Sequence, residues 1–369
     1  MAAVGFHDVC KTFDGSTPVV ALDHLSIDIA AGEFFSIVGP SGCGKTTALR
    51  ILAGLEEPTS GAVTIGGHDV TRLPSRQRNV GLVTQQNALL PERSAYGNIR
   101  FPLEVRRRDR RPGPVDDLVS AQAELLGIGH LLDRRPGDLS EGEQRAVQLA
   151  RSLVAEPTAL LLDEPLAFID SLARQQLRAD IVRMQQVLGL TTVLVTADQE
   201  DALAVSDRMA VLVDGHLHQV GTPEEVYRAP LTASVAAFVG EPAMNLVQAR
   251  LEHDTGERAV RLFGHRIPVW SPLLDPYVGR SVLVGVRPED LDARGEVVPW
   301  QVDAVVRTAA SSAGRTTTIV ETEQGEALRV SRTGPPPRPG SATVIGLRPE
   351  RFHWFDPATG LAILHPTAA

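Results

Sequence analysis

One short segment, residues 39–46, constrains the fold of this chain more than any other. It reads Gly-Pro-Ser-Gly-Cys-Gly-Lys-Thr, and its glycines, lysine and threonine fit the pattern of a phosphate-binding loop. The apolar run 33–38 before it predicts a buried strand, and residues 47–53 after it predict a helix. Such a turn can direct several backbone amides at a phosphate, where the helix dipole favours an anion. The sequence therefore predicts a nucleotide site.

Each residue type in this loop has an expected contribution. Lys45 is expected to reach the β- and γ-phosphates of ATP, and Thr46 to place its hydroxyl on Mg²⁺. The remaining predicted nucleotide contacts come from the loop and the start of the helix: Gly39, Pro40, Ser41, Gly42, Cys43, Gly44 and Thr47. Cys43 is either a thiol whose modification blocks nucleotide binding or a buried, inert thiol.

Composition restricts the class of protein. The chain has 369 residues, 43% of them apolar and 22% charged, which suits two globular domains. A net charge of −9 argues against a general nucleic-acid binder. No apolar stretch approaches the ~20 residues of a membrane span, and the first residues lack the features of a secretory signal. Cys10 and Cys43 are the only cysteines, so we expect no disulfide framework and a cytoplasmic protein.

The pattern of apolar residues divides the chain into an α/β part and a β-rich part. Alternation predicts antiparallel strands near the start, apolar runs predict buried parallel strands, and the segment from Pro112 to Leu153 has a mostly helical pattern. The predicted strands before Pro242 are 4–9, 25–29, 62–65, 159–162, 192–196 and 208–213. Strands that alternate with helices indicate a wound parallel sheet.

After about Pro242 short β-rich runs separated by glycine and proline take over. Residues 284–289, Val-Gly-Val-Arg-Pro-Glu, recur at 345–350 as Ile-Gly-Leu-Arg-Pro-Glu. Two copies suggest a small β-barrel domain built from paired strand units. Residues 334–340 contain four prolines and are predicted to form a loop within it.

Residues 106–111 contain five arginines. The first interpretation is a solvated loop, and the alternative is contact with anionic lipid headgroups.

Two carboxylates follow the apolar run 159–162. Asp163 can hold Mg²⁺ and Glu164 can polarise an attacking water. An Asp-Glu pair alone is weak evidence for a nucleotide site, but downstream of a phosphate loop it becomes strong supporting evidence.

Together these motifs resemble the ATP-binding subunits of ABC transporters, and the nearest group is the sugar-importer type. Phe13 matches the aromatic residue that stacks on adenine. Gln85, rather than the adjacent Gln86, matches the glutamine loop when the segment 88–91 sets the alignment. In that family this glutamine meets the Mg²⁺ and attacking-water region, and its loop borders the groove for the permease. We therefore expect Gln85 to act in catalysis and to be a ligand of Mg²⁺.

The resemblance extends to the residues that close the nucleotide site from a second subunit. Residues 139–143, Leu-Ser-Glu-Gly-Glu, match the signature motif, which implies that Ser140 and Gly142 contact the ATP bound by the opposite subunit. Asp163 and Glu164 match the Mg²⁺-site aspartate and the catalytic glutamate. Asp170 matches the end of the D-loop, and a helix N-cap is the alternative role for it.

What the resemblance implies is an ABC-type P-loop domain over 1–240, with a helical subdomain at about 90–155. A C-terminal all-β regulatory domain of the OB/MOP-like (TOBE) kind would follow over 241–369. The implied cofactors are ATP and Mg²⁺. The implied partners are a second ATP-binding subunit, expected as a homodimer, two transmembrane permease subunits and, indirectly, an extracytoplasmic solute-binding protein, without nucleic acid. The chain would lie on the cytoplasmic face of the membrane as a peripheral subunit.

Three motifs depart from that family. Ala197 stands where the family has a histidine that contacts the γ-phosphate, and in the signature Glu141 and Glu143 replace the usual glycine and glutamine. Phe168 stands where the D-loop prefers a small or amide residue. We expect Glu141 to point to solvent, because a carboxylate at ~4 Å from a γ-phosphate would cost about 4 kcal/mol.

Three functions are therefore compared. The first is the ATPase of an importer for a sugar or a related polar solute, such as a polyol or a glycerophosphodiester. The second is a regulatory subunit that binds ATP but scarcely hydrolyses it. The third, a soluble ABC ATPase acting on DNA or ribosomes, is disfavoured by the acidic balance and by the importer-like C-terminal domain.

Overall fold

The computed structural model of the chain describes residues 2–86, 89–106, 115–254, 257–291, 298–312 and 314–366. The chain forms two compact units, 1–223 and 224–369. The domain boundary expected at residue 240 stays a prediction. Across the described ranges, no helix has the length and apolar character needed to span a membrane.

The first unit alternates strands and helices. In chain order its elements are β1 (Val4–Phe13), β2 (Val19–Ile29), β3 (Phe34–Val38), α1 (Lys45–Ala53), β4 (Ser60–Ile65), β5 (His68–Asp69), α2 (Ser75–Arg78), β6 (Val80–Val83), α3 (Ala95–Arg106), α4 (Val115–Leu125), α5 (Glu141–Leu153), β7 (Ala159–Asp163), α6 (Ser171–Leu188), β8 (Thr191–Thr196), α7 (Gln199–Val205), β9 (Arg208–Val213) and β10 (His216–Gly221).

A six-stranded sheet of order β10-β9-β3-β8-β7-β6 forms the centre of this unit. Strands β9, β3, β8, β7 and β6 pair in parallel, and every residue of β3, β7 and β8 is buried. Strands covered on both faces carry continuous apolar runs rather than alternation. This confirms the α/β fold expected from residues 33–38, 159–162 and 192–196.

A second, four-stranded sheet of order β2-β1-β4-β5 is antiparallel throughout. Its alternating residues bury one face, so Val4, Phe6, Leu25 and Ile27 join α1 and β3 in one apolar core. The alternation at the start of the chain thus predicted the correct type of strand.

Among the residues that the structure describes between β6 and β7, helices α3, α4 and α5 form an insertion. Their buried side chains pack with those of β7 and α6 in a second apolar core, as Ile99, Val119 and Val147 illustrate. The segment expected to be mostly helical is more broken than its pattern suggested. Helix α4 ends at Leu125 and α5 begins only at Glu141, because Gly127, Gly129 and Pro136 lie between them.

The C-terminal end of α1 is tied to the segment before β6 by Arg78. This residue is 4% exposed, and its guanidinium donates to the carbonyl oxygens of Ile51 and Leu52 over 2.6 and 3.1 Å. It also donates to the carbonyl oxygens of Leu73 and Thr71. A cation at this end of a helix is favoured by the helix dipole.

The second unit is built mainly of strands. The division between the units falls at the start of α8 (Pro223–Arg228), which is followed by α9 (Ala233–Phe238), β11 (Asn245–Asp254), β12 (Glu257–Leu262), β13 (His265–Pro268), β14 (Ser281–Val286), β15 (Trp300–Ser312), β16 (Arg315–Thr322), β17 (Ala327–Thr333), β18 (Ala342–Leu347), β19 (His353–Phe355) and β20 (Ala362–Leu364).

These strands form two antiparallel sheets, of order β13-β12-β11-β14-β19-β20 and β17-β16-β15-β18. One apolar core contains side chains from both sheets. The sequence repeat gives the same local structure twice, since β14 and β18 each run into a short 3₁₀ turn at the Pro-Glu pair. Residues 334–340 form the predicted loop between β17 and β18.

Of the arginine-rich segment 106–111, only Arg106 belongs to a described element, the end of α3. The remaining residues lie outside the described ranges, so both interpretations of the segment remain predictions.

Candidate nucleotide site

The loop between β3 and α1 has a backbone that only glycine permits at two positions. Gly39 and Gly44 have φ angles of 155° and 101°. A Cβ at Gly39 would lie 2.0 Å from the carbonyl oxygen of Leu212, and one at Gly44 would lie 2.2 Å from that of Ala21. Neighbouring backbone therefore requires these glycines, and the loop runs directly into the N-terminus of α1.

Lys45 turns back over this loop. Its side chain is buried, and Nζ donates to the carbonyl oxygens of Gly39 and Pro40, each over 2.8 Å. An ammonium held here faces the same loop whose amides would receive phosphate. The loop residues Pro40, Ser41 and Gly42 are exposed.

The structure favours the second of the two alternatives for Cys43, the buried thiol. Its side chain is 4% exposed, and burial raises the pKa of the thiol although the Lys45 ammonium nearby lowers it. A buried thiol with a raised pKa is a poor nucleophile.

Thr46 and Asp163 meet at the edge of the sheet. The Thr46 hydroxyl donates to Asp163 Oδ1 over 3.1 Å, joining the first turn of α1 to the end of β7. Burial raises the pKa of Asp163, while the Thr46 hydrogen bond and the cations Arg50 and Lys45 lower it. A hydroxyl and a carboxylate at this distance are hard oxygen donors of the kind Mg²⁺ prefers, so the residues fit that ion.

Glu164 follows immediately in a strained conformation. Its φ is 47°, and its backbone N–H donates to the carbonyl oxygen of Val195 over 2.8 Å. The side chain is only partly buried. Because of this turn, Glu164 leaves the line of β7 and lies beside β8. Backbone strain of this kind is concentrated at functional sites.

Gln85 is connected to the signature helix through its backbone. Arg145 of α5 donates to the carbonyl oxygens of Thr84 and Gln85 over 2.7 and 2.9 Å. The exposed Gln85 side chain lines a pocket of about 280 Å³ together with Glu141 and Phe168. Its role beside Asp163 and Glu164 stays a prediction, and Ala88, which helped to set the alignment, lies outside the described residues.

Phe13 ends β1 with its ring 40% exposed. Lys11 Nζ lies 4.8 Å from the ring centroid, a cation–π contact. A half-exposed ring is available for stacking, and its contact with adenine remains a prediction.

Ser140 and Gly142 lie at the start of α5. Ser140 is the N-cap: its hydroxyl accepts from the Glu143 backbone N–H over 3.3 Å, and Glu143 Oε2 accepts from the Ser140 backbone N–H over 2.8 Å. This capping box holds the pKa of Glu143 below its usual range. Glutamate and glutamine serve equally in such a box, which explains why the departure at 143 is compatible with the fold.

Gly142 packs closely against α6. A Cβ at this position would lie 3.3 Å from the Cβ of Ala173, so a small residue suits the contact. Glu141 is exposed at the first turn of the helix, where the dipole favours a carboxylate, and its orientation towards solvent in the closed site stays a prediction.

The D-loop region exposes two large apolar side chains. Phe168 is 80% exposed and Leu172 is 77% exposed. Asp170 between them is the N-cap of α6, accepting from the backbone N–H groups of Leu172 and Ala173 over 3.1 and 3.0 Å. The N-cap role considered for Asp170 is confirmed.

Ala197 lies in a tightly held turn between β8 and α7. The Asp198 backbone N–H donates to Thr196 Oγ1 over 3.0 Å, and Asp198 caps α7. Arg174 of α6 pairs with Asp198 and Asp201, and these carboxylates raise the pKa of its guanidinium. These contacts fix the turn, but the side chain at position 197 is a methyl group, which has no hydrogen-bond donor.

Sequence reasoning missed Arg145, which donates to the backbone of Gln85, and Arg174, which holds the turn that contains Ala197. Arg145 had a detectable signal, because a cation on the apolar face of α5 needs buried partners. Arg174 had none, since its partners are 24 and 27 residues away in sequence.

Two family models match the chain. The model described as ABC transporter matches residues 22–167, and the model described as MalK OB fold domain matches residues 240–291. The first range contains the phosphate loop, the signature helix and the Asp163–Glu164 pair.

Similar proteins match over nearly the full length. The chain is 38% identical to the trehalose/maltose import ATP-binding protein MalK of Thermococcus litoralis, over 98% of this chain and 100% of the relative. It is 38% identical to the sulfoquinovosyl glycerol transport ATP-binding protein SmoE of Agrobacterium fabrum, with the same coverage. It is 40% identical to the sn-glycerol-3-phosphate import ATP-binding protein UgpC of Cereibacter sphaeroides, over 81% of this chain and 82% of the relative.

Among solved structures, a dimeric post-hydrolysis state of the ATP-binding cassette MJ0796 bound to ADP and Pi is similar. It has a TM-score of 0.54 and 30% identity, over 60% of this chain and 98% of that one.

Proposed function

Because this chain belongs to the ATP-binding subunits of ABC importers, we propose that it energises the uptake of a sugar or a related polar solute. It is an ABC-type ATPase. Full-length relatives are named for import of trehalose and maltose, sulfoquinovosyl glycerol and sn-glycerol-3-phosphate. Polyols and glycerophosphodiesters belong to the same chemical class.

The observation that carries the proposal is the geometry of Lys45, Thr46 and Asp163 at one edge of the sheet. Lys45 would bind the β- and γ-phosphates, the amides of the loop would surround them, and Phe13 would stack on adenine. Thr46 and Asp163, with Gln85, would hold Mg²⁺, which when bound would neutralise phosphate charge. Glu164 would take the proton from the attacking water.

A second copy of the chain would complete each site. Ser140 and Gly142 begin α5, whose N-terminus can receive a phosphate oxygen from the opposite nucleotide. The exposed Phe168 and Leu172 would then be covered at the subunit contact. Binding of ATP would favour closure, and hydrolysis would reverse it.

Permease subunits would hold this protein at the cytoplasmic face of the membrane, as a peripheral subunit. A solute-binding protein outside the membrane would deliver the solute to those permeases. These partners follow from the importer family to which the relatives belong.

Two measurements test this function. Purified protein should release phosphate from ATP, and Glu164→Gln should abolish release while it retains ATP binding. Affinity purification from native membranes should recover two multispanning proteins. Phosphate release that Glu164→Gln leaves intact would overturn the catalytic assignment, and recovery of ribosomes or DNA instead of membrane proteins would overturn the importer.

A regulatory subunit that binds ATP and hydrolyses it slowly is the second candidate. Ala197 favours it, because a methyl group offers no donor to the transition-state charge. A turnover assay separates the two candidates.

A further inference from the structure

A cluster of metal-ligating side chains lies in the first unit, outside the predicted nucleotide residues. Cys10 of β1 and Asp23 and His24 of β2 each bring one ligand atom within 4.8 Å of the others. His216, the first residue of β10, places Nε2 2.9 Å from Asp23 Oδ2. The four residues come from three strands.

An irregular backbone brings these side chains together. Successive residues of a regular strand point to opposite faces, yet Asp23 and His24 both reach the cluster. The β1–β2 pairing shifts register between Val9 and Lys11, and His24 has a φ of 51°. A bulge of this kind redirects a side chain.

The protons of the two imidazoles can be assigned from their partners. His24 Nδ1 lies 2.6 Å from Asp8 Oδ1, and His216 Nδ1 lies 2.9 Å from the carbonyl oxygen of Asp214. Both partners only accept, so each Nδ1 is the donor. The second nitrogen of each ring, Nε2, is therefore the one that faces the cluster.

Both Nε2 atoms face the same carboxylate. His24 Nε2 is 3.7 Å from Asp23 Oδ1, and His216 Nε2 is 2.9 Å from Asp23 Oδ2. Such an approach to an anion needs a positive charge, which a proton on Nε2 supplies in the metal-free protein and a bound cation would supply in its place. An imidazole that donates Nδ1–H to an acceptor and directs Nε2 at a cation is the usual arrangement of a metal-bound histidine.

We propose that Cys10, Asp23, His24 and His216 bind a divalent transition-metal cation of the Zn²⁺ type. A thiolate, two imidazoles and a carboxylate form the mixed sulfur, nitrogen and oxygen set that suits this ion. Hard ions such as Mg²⁺ select oxygen ligands instead. The site is thus distinct in chemistry from the Thr46–Asp163 pair.

The cation would join β2 to the turn that supports the phosphate loop. The Asp23 backbone N–H donates to the Gly215 carbonyl oxygen over 2.9 Å, and the Gly215 N–H donates to the Cys43 carbonyl oxygen over 3.2 Å. Ligation of Asp23 and His216 reinforces the first of these connections. Metal binding therefore stabilises the unit that contains the loop.

The test uses the full chain, stripped with a chelator and kept free of nucleotide. Titration with Co²⁺ should show one equivalent bound, with a thiolate-to-cobalt charge-transfer band that Zn²⁺ removes by displacement. Because Cys10 and Cys43 are the only cysteines, Cys10→Ser should lose the band and Cys43→Ser should keep it. The absence of a stoichiometric band in the wild type, or a band that follows Cys43, would overturn the proposal.

A second measurement does not depend on the cysteine variants. Zn²⁺ should raise the thermal unfolding temperature of the wild type and of the control His7→Ala, whose imidazole contacts Thr64 instead. The increase should be lost in His24→Ala and His216→Ala, with Zn²⁺ affinity reduced at least about 10-fold. An equal increase in all four proteins would show that the cluster is an ion-pair network and not a metal site.

Discussion

The Thr46 hydroxyl donates to Asp163 Oδ1 over 3.1 Å, which joins the first turn of α1 to the end of β7. Thr46 follows Lys45, which is proposed to bind phosphate, and Asp163 precedes Glu164, which is proposed to activate water. The phosphate-binding element and the carboxylate element therefore occupy one edge of the sheet, although more than a hundred residues separate them in sequence.

Lys45→Ala should weaken ATP binding about 10- to 100-fold, since a hydrogen bond to a charged group contributes about 1.5–3 kcal/mol. Isothermal titration of both proteins measures the change. Arg72→Ala, at an exposed position outside the loop, is the matched control. Equal affinities of wild type and Lys45→Ala for ATP would contradict the assignment of Lys45 to phosphate binding.

Ala197→His should raise the rate of phosphate release with little change in ATP affinity. The added donor would act mainly in the transition state, and one such donor typically contributes on the order of 10² to 10³ in rate. Ala197→Phe adds an aromatic ring without the donor and should not accelerate the reaction. A fast wild-type rate that histidine does not improve would mean that another group supplies this contact.

Glu143→Ala should lower the free energy of unfolding by roughly 0.5–1 kcal/mol, whereas Glu143→Gln should be close to neutral. Only alanine removes the acceptor that Glu143 offers to the Ser140 backbone N–H. Urea denaturation of the three proteins measures the difference. If alanine and glutamine behave alike, the capping box does not stabilise α5.

Glu92→Arg should uncouple ATP hydrolysis from transport without unfolding the chain. By family resemblance, residues 85–98 are expected to border the groove that receives the permease, and Glu92 is exposed. Transport and hydrolysis in reconstituted vesicles provide the measurement. Glu257→Arg, an exposed position in the second unit, controls for charge reversal, and unchanged transport by Glu92→Arg would place the groove elsewhere.

The second unit should lose stability as the pH falls below about 6.5. Burial, with His365 close by, lowers the pKa of His353 from 6.5 to about 3, so the unfolded chain takes up this proton first. The contribution of this histidine to the free energy of unfolding is therefore fully present above pH 6.5. It is lost towards pH 3, at a rate of at most about 1.4 kcal/mol per pH unit.

Thermal unfolding between pH 7 and pH 4 tests this dependence. His353→Phe should flatten it, because Phe keeps the ring that stacks on Phe355 and cannot be protonated. The lowered pKa of His365 contributes in the same direction. His253→Phe, at an exposed position, should leave the dependence unchanged, and a wild-type curve without it would contradict the assignment.

The sequence predicted those features that depend on neighbouring residues. β3, β7 and β8 were recognisable because strands buried on both faces need continuous apolar runs. The phosphate loop was recognisable because backbone contacts at Gly39 and Gly44 leave no room for a Cβ.

Features that depend on distant partners were not predictable from local patterns. Arg174 meets Asp198 and Asp201 only because α6 and α7 pack together. His216 meets Asp23 only because the turn before β10 lies beside β2. No local periodicity encodes such contacts, since each depends on how the elements pack.

Arg78 connects α1 to the segment before β6. Lys45 anchors one end of α1 to the phosphate loop, and Arg78 clamps the other end immediately before β6. Two of the four hydrogen bonds of Arg78 go to the end of α1, and two go to the segment before β6. The helix that begins at the phosphate loop is therefore tied at its far end to the strand that Gln85 follows by two residues.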